Sequence, residues 1–389
     1  MNYDLILQGG HVVDPAQQIN FVTDIAIQDG VIAELGENLA TNPSTEQIDA
    51  SGMIVCPGLI DLHVHCYSGM GLFSVDAAEI GLKTGVTTLL DTGSAGCLNY
   101  GPFHRFVMPA AREDVFALLN IAQHGVQGHP DFLPYLGDLH DAKHIHAGNA
   151  IACIDKHRDR IVGVKARLTE SLTDGKPENE YIAMNAAIDA GEATGLPCMF
   201  HHLASSIPLE ELLEIMRPGD ILTHFYHGKG DGGFVPNSGS GAPSEAMLRA
   251  REKRILFDVG HGVGAFTWRI AEPACRQHGF FPDTISTDLH QFCIDGPTYD
   301  LPTTMSKLLH LGMPLEKVIE ATTITPARAI KLHDRGSLAP GLLADISLLR
   351  MEDGEFDLVD VEGAVRTAAQ RLVHVGTIKS GVVEPCLGS

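Results

Sequence analysis

The segment Asp61-Leu62-His63-Val64-His65 places two histidines two residues apart. In an extended strand residues i and i+2 project from one face, so His63 and His65 offer two imidazole nitrogens to a single ion. In a chain with 20 histidines such a pair also arises by chance, and alone it reads equally well as a surface pair. Other short apolar runs, however, end in side chains of the same chemical kind: Val162-Gly163-Val164-Lys165, Met199-Phe200-His201-His202, Leu222-Thr223-His224 and Ile285-Ser286-Thr287-Asp288. Imidazole and carboxylate are ligands for divalent ions, and a carboxylate beside an activated water can serve as base and then as acid. Of His201 and His202 only one can face a shared centre. His201 is preferred because it stands four residues after Pro197 and two after the apolar Met199, with His202 as the fallback.

Bringing together residues more than 200 positions apart requires a scaffold that gathers strand ends. Apolar runs at 60–65, 86–91, 115–122, 161–165, 198–201, 220–224, 255–259 and 284–288 alternate with longer helix-patterned segments, the pattern of βα units around a parallel sheet. Eight such units predict an α/β fold, a (β/α)8 TIM barrel with its active site at the C-terminal strand ends. Helices are predicted at 183–193, 209–216 and 244–253, the last with Ser244 as N-cap. Both chain ends read instead as short strands and turns, with Asp29-Gly30 between apolar pairs as a hairpin signal. They predict a small β-sandwich domain from residues 1–55 and 335–389, flanking a metal-binding barrel at 56–334. The Gly-, Ser- and Pro-rich stretch 228–244 reads as a loop after the sixth strand, either a lid over substrate or a plain surface excursion. His140, His144 and His146 read as a solvated helix start, since no acidic or Cys partner keeps regular spacing with them.

A length of 389 residues suits one barrel plus a small companion. With 44% apolar and 20% charged residues the chain has ample material for a core, which excludes a disordered protein. The formal net charge of -22 repels phosphate backbones and anionic lipid surfaces, so neither nucleic acid nor membrane is an expected partner. No apolar run approaches the ~20 residues of a membrane span, and residues 1–10 lack the pattern of a signal peptide. Eight Cys without a CxxC pair read as reduced thiols of a cytoplasmic protein. The expected partners are a small-molecule substrate and further copies of the chain in a homo-oligomer.

The ordered set of His-x-His on the first run, Lys on the fourth, His on the fifth, His on the sixth and Asp on the eighth resembles the amidohydrolase superfamily. The likeness spans almost the whole chain: the two ends resemble that superfamily's accessory β-sandwich, and Gly336-Ser337-Leu338-Ala339-Pro340-Gly341 leading to Ala344-Asp345 is similar to its return segment. The resemblance implies that Lys165 takes up carbon dioxide to become a carbamate bridging two divalent metal ions, zinc being the simplest choice. An unmodified ammonium inside an apolar strand is costly unless paired. By the same resemblance His63, His65 and Asp288 hold the more buried ion, and His201 and His224 the more exposed one. Two ions about 3.5–4 Å apart turn a bridging water into hydroxide. Asp288 then takes the water's proton and returns it to the leaving group.

Dihydroorotases of the superfamily carry an Arg two residues after the His-x-His pair, where this chain has Tyr67. The chain looks closer to a dihydroorotase-like subgroup of amidohydrolases and deacetylases, often labelled dihydroorotase or adenine deaminase. The matching segments are Asp91-Thr92-Gly93-Ser94-Ala95-Gly96, Val164-Lys165-Ala166-Arg167, Asp258-Val259-Gly260-His261-Gly262 and Asp300-Leu301-Pro302-Thr303-Thr304-Met305-Ser306-Lys307. This implies hydrolysis of an acyl ester or amide, with O-acetyl 2-hydroxy acids such as acetyl-mandelate as candidates. Arg167, two residues beyond Lys165, can grip a substrate carboxylate or form a structural ion pair. His261 is the foremost further candidate for a substrate contact, with Tyr67, Ser94 and His290 beside it. The competing readings are a cyclic amidohydrolase, a mononuclear deaminase, which Lys165 opposes, and a non-catalytic scaffold, which retention of every ligand opposes.

Overall fold

The computed structural model describes residues 3–71, 73–128, 136–229, 234 and 241–385. The chain opens with β1 (Leu5–Asp14), β2 (Ile19–Gln28), β3 (Val31–Gly36), β4 (Glu46–Asp49) and β5 (Ile54–Pro57). Next come β6 (Leu59–Val64), β7 (Val86–Gly96), β8 (Asp114–Asn120), β9 (Ile161–Leu168), β10 (Cys198–His202), β11 (Ile221–Thr223) and β12 (Leu256–Asp258). The chain then returns as β13 (Ile346–Val359), β14 (Val365–Lys379) and β15 (Val382–Val383).

The strands of the two chain ends share one sheet, in the order β15-β14-β13-β5-β1-β2-β3 with β4 also on β1. Where a sandwich of two facing sheets is expected, all these strands are hydrogen-bonded into a single sheet. The reason is β5, which pairs with β1 in parallel and with β13 antiparallel and so joins the two halves edge to edge. Strand alternation then decides the faces. Leu5, Leu7, Ile25 and Ile27 pack with Val55, Leu338, Ile346 and Ile378, while Ile6 and Ala26 turn to the other side with Tyr3. Asp29 and Gly30 both have positive φ, 52° and 77°, between the paired Gln28 and Val31. Two successive left-handed residues are what a two-residue type I′ hairpin requires.

Strands β6 to β12 lie side by side in chain order as a parallel sheet. The run at 284–288, expected as an eighth strand, is not a regular strand. It is bridged in parallel on both sides, Thr284 to Asp258 of β12 and Leu289 to Val64 of β6. His65 N donates to Leu289 O at 2.9 Å and Val259 N to Thr284 O at 3.1 Å. The extended geometry breaks at Asp288, where φ is 51°, a left-handed conformation that Asp tolerates better than most residues. Asp61 ties the irregular segment down, accepting from Thr287 N at 3.0 Å and from Thr287 Oγ1 at 2.5 Å.

The connecting segments follow from local signals. The helix Glu178–Thr194 stops at Gly195, whose φ of 69° makes a left-handed cap. Ser244 caps the helix Glu245–Glu252, its hydroxyl accepting from Met247 N at 3.3 Å. His146 caps the helix Ala147–Lys156 through Asn149 N at 3.2 Å, so that histidine is part of a helix start. Leu62, Leu90, Leu118, Val162, Met199 and Ile221 from successive parallel strands form one apolar cluster. A larger core lies between the strands and the surrounding helices. Within the 228–244 loop, residues 230–233 and 235–240 lie outside the described residues.

Candidate metal centre

Parallel strands bring their C-terminal ends to one rim. At that rim His63 of β6 and His65 just past it, Lys165 and Arg167 of β9, His201 of β10, His224 just past β11, Asp288 in the bridged segment and His290 just past it line one cavity. His63 Nε2 lies 3.4 Å and His65 Nε2 3.2 Å from Asp288 Oδ1. Lys165 Nζ is 3.4 Å from His63 Nε2. The ring centres of His63 and His224 are 4.8 Å apart, those of His201 and His224 4.5 Å. Ligand atoms of His63, His224 and Asp288 all fall within 4.8 Å of one another.

The imidazoles of His63, His65 and His224 are each held through Nδ1. His63 Nδ1 meets Thr223 Oγ1 at 3.0 Å, and that hydroxyl donates to the buried Asp258 Oδ2 at 2.7 Å. His65 Nδ1 meets Ser94 Oγ at 2.9 Å, and His224 Nδ1 meets Gly260 O at 2.6 Å. A carbonyl only accepts, so His224 carries its hydrogen on Nδ1 and leaves Nε2 as a lone pair. Second partners of this kind orient metal-binding histidines. His201 Nε2 and Asp288 Oδ1 are buried with no directed hydrogen bond among the described residues. An unmet buried polar atom costs about 1–3 kcal/mol, so this donor set fits divalent ions placed among these atoms.

The electrostatics agree. Burial pushes the imidazoles of His63 and His201 well below their usual pKa and that of His224 down to about 4, which keeps them in the neutral, ligating form. Burial lowers the Lys165 amine to about 7, against the opposing pull of Asp288 and Asp258. For Asp288 burial alone would raise the pKa, but His63, His65 and His224 hold the carboxyl well below the usual range.

The structure sorts the other sequence candidates. His201 shares the face of Met199, whereas His202 turns away and its Nε2 meets Ile207 O at 2.7 Å. Arg167 reaches the cavity but is also anchored, with Nε 3.0 Å from Asp138 Oδ2 and Nη2 donating to Gly128 O at 2.5 Å. His290 sits beside His65 and Phe73, with ring centres 6.2 and 5.0 Å away. Ser94 stands behind His65 rather than in the cavity wall. Ser94 is thus one of three expected substrate contacts that lie outside the cavity lining, with Tyr67 and His261. Tyr67 stacks on Phe103 at 4.4 Å and donates to Asn99 O at 2.9 Å, outside the cavity lining. His261 is fully buried behind the cavity wall, bonded to Gly262 O, Thr298 and Lys307. Sequence reasoning missed the roles of Thr223, Asp258 and Asp61. The available signal was a carboxylate inside an apolar strand, which needs partners.

The amidohydrolase family model matches residues 264–383. A deacetylase of Brucella anthropi is 34% identical over 344 residues, covering 88% of this chain and 83% of that protein. The chain belongs to the amidohydrolase superfamily. This amidohydrolase is also 31% identical to a deacetylase of Enterococcus faecalis over 98% of its own length and 99% of the relative's. Among solved structures, an adenine deaminase superimposes with a TM-score of 0.87 at 30% identity, covering 98% of this chain and 100% of that one. A dihydroorotase does so with 0.86 at 31%, covering 98% of each. The amidohydrolase is thus an enzyme, a hydrolase. Among the described residues no helix is long and apolar enough to cross a membrane.

Proposed function

We propose that this amidohydrolase is a binuclear metal-dependent acyl hydrolase of the deacetylase kind, with O-acetyl 2-hydroxy acids such as acetyl-mandelate as candidate substrates. One observation carries the reading: six side chains from distant strand ends line a single cavity, with His201 Nε2 buried there and, among the described residues, without a hydrogen bond. In this reading the seven parallel strands and the bridged 284–289 segment form a closed (β/α)8 barrel, and the two chain ends form a second domain with boundaries near residues 56 and 335. The enzyme works in the cytoplasm as a homo-oligomer.

When bound, two divalent ions, zinc being the simplest fit to these ligands, lower the pKa of a shared water and polarise the acyl carbonyl. His63, His65 and Asp288 would hold one, and His201 and His224 the other. Lys165, whose amine burial pulls down to about 7, would supply two further oxygen ligands as a carbamate, its nitrogen bonded to the carbon of carbon dioxide with release of one proton. Asp288 accepts the water's proton and delivers it to the departing oxygen or nitrogen. Arg167, steadied by Asp138, faces a substrate carboxylate with a charge-assisted hydrogen bond. Phe73, Leu172 and Leu203 line the same cavity and limit access of bulk water to the reacting carbonyl.

Metal analysis and a substrate panel test this. Two ions per chain, bicarbonate-dependent reconstitution and loss of one ion in Lys165→Ala are expected. So are measurable hydrolysis of acyl esters or N-acyl amino acids and negligible turnover of dihydroorotate. One ion per chain with adenine turnover, rapid dihydroorotate cleavage, or a metal-free protein would overturn the reading.

A further inference from the structure

The hydrolytic reading leaves Lys307 without a task, although it is wholly buried. From the helix Leu301–His310 its Nζ reaches His261 Nε2 at 2.6 Å, Val359 O at 2.7 Å and Pro297 O at 2.9 Å. Burial pulls the Lys307 amine down to about 7, and the three contacts hold its Nζ in one place whichever form it takes. His261 completes the link. Its Nδ1 lies 3.0 Å from Gly262 O and 3.0 Å from Thr298 Oγ1, and burial holds the ring neutral. Nδ1 therefore carries the hydrogen and Nε2 accepts from Lys307. The ring also stacks on Phe266, centre to centre 4.9 Å.

The glycines on either side of His261 touch the metal centre directly. Gly260 O accepts the Nδ1–H of His224 at 2.6 Å. At Gly262, where φ is 49°, a Cβ would strike Asp288 Oδ2, and Gly262 N donates to Thr287 O at 2.8 Å. On its far side the link is anchored in the end-strand sheet. Val359 closes β13, and the adjoining hairpin turn docks on the helix Trp268–His278: Asp360 Oδ2 accepts from Trp268 N at 2.8 Å and Leu358 O from Trp268 Nε1 at 3.2 Å.

We propose that Lys307 and His261 are positioning residues, a strut that runs from the β13–β14 hairpin to the 260–262 loop and holds His224 and Asp288 in register. The inference rests on the hydrolytic reading of those two residues. It assigns the chain-end sheet a part in catalysis, through a buried lysine that lies outside the lining of the cavity. Loosening the loop shifts two groups of the centre together, and misplacements of about 1 Å at reacting groups cost about 100-fold in rate.

The test uses holoenzyme carrying Lys307→Met, His261→Phe, both, or Lys307→Gln, measuring kcat, KM, the rate of metal loss to a chelator, and the thermal midpoint. His261→Phe keeps an aromatic ring to stack on Phe266 and carries the test if Lys307→Met does not fold. In each single variant kcat is expected to fall about 10- to 100-fold with KM within about twofold, and metal is lost faster. The double variant is expected to be no worse than the poorer single, because both act through one contact. Lys307→Gln, which keeps two N–H donors, recovers part of kcat. Folded variants with wild-type kcat and wild-type metal retention would overturn the strut, as would an additive double variant. A wild-type enzyme without metal or acyl hydrolysis would instead overturn the hydrolytic reading, so the two failures are distinguishable.

Discussion

Replacing Thr223 by Val keeps the shape and the branched β-carbon but deletes one hydroxyl at a fully buried position. That hydroxyl accepts from His63 Nδ1 at 3.0 Å and donates to Asp258 Oδ2 at 2.7 Å, so it fixes both the tautomer and the tilt of His63. Asp258 keeps two other donors, Thr284 Oγ1 at 2.7 Å and Ser286 Oγ at 2.7 Å, and its loss is partial. His63 Nδ1 has no second hydrogen bond of this kind among the described residues, Asp258 Oδ2 standing 3.7 Å away. A buried donor left unmet costs about 1–3 kcal/mol. At about 1.36 kcal/mol per tenfold this corresponds to about 5- to 150-fold, in line with the 10- to 100-fold typical of partners behind metal-binding histidines. The cost falls on the metal-bound state, because only a correctly turned His63 points Nε2 at the ion. Thr223→Val is therefore expected to lose metal to a graded chelator series about 10- to 100-fold more readily, with a matching fall in kcat and little change in the metal-free thermal midpoint. Metal retention and kcat both within about twofold of wild type would refute the idea that Thr223 orients a metal ligand.

Arg167→Met should raise KM for carboxylate-bearing acyl esters by about 10- to 100-fold, the worth of a charge-assisted hydrogen bond. It should leave neutral esters unaffected, and equal losses on both classes would count against carboxylate recognition. Burial alone would raise the Asp114 carboxyl, but Lys379 and Arg335, each 2.7 Å from Oδ2, hold it below its usual range. Its folded pKa then lies below the unfolded value, so the stabilisation is complete above about pH 4 and is lost as pH falls through the lowered folded value. Asp114→Asn should accordingly lower urea stability by about 1–3 kcal/mol at pH 7 and flatten the acid limb of the stability curve; identical curves would contradict this. Ser244→Ala removes the cap on the helix Glu245–Glu252 and should cost about 1 kcal/mol in urea unfolding without changing kcat.

The residues most readable in the sequence were those governed by strand and turn periodicity. Lys165 and Arg167 face one cavity because they stand two apart on β9, and Met199 and His201 share a face on β10 for the same reason. Asp29-Gly30 announced a hairpin because few other residue pairs take two positive φ angles in succession. Ser244 announced a helix start because its hydroxyl replaces a missing backbone partner. These are local rules, and they hold wherever the backbone stays regular.

Where the backbone leaves regular geometry, periodicity stops predicting direction. His224 lies just past β11 and Asp288 within the bridged segment, with φ of 71° and 51°, and Gly260 and Gly262 flank His261 with φ of 48° and 49°. Such turns redirect the next side chain, and His261, placed by sequence at the barrel mouth, is folded back onto Lys307, while Tyr67 packs on Phe103 just past the regular end of β6. The amino-acid sequence by itself determined which chemistry was available and on which strands it would ride, because residue type and two-residue spacing are local properties. Only the tertiary structure decided that the chain ends make one sheet, that 284–288 is a bridged irregular segment, and that Thr223, Asp258 and Lys307 stand behind the centre. Those outcomes depend on contacts between residues 26 to 295 positions apart, which no local pattern encodes.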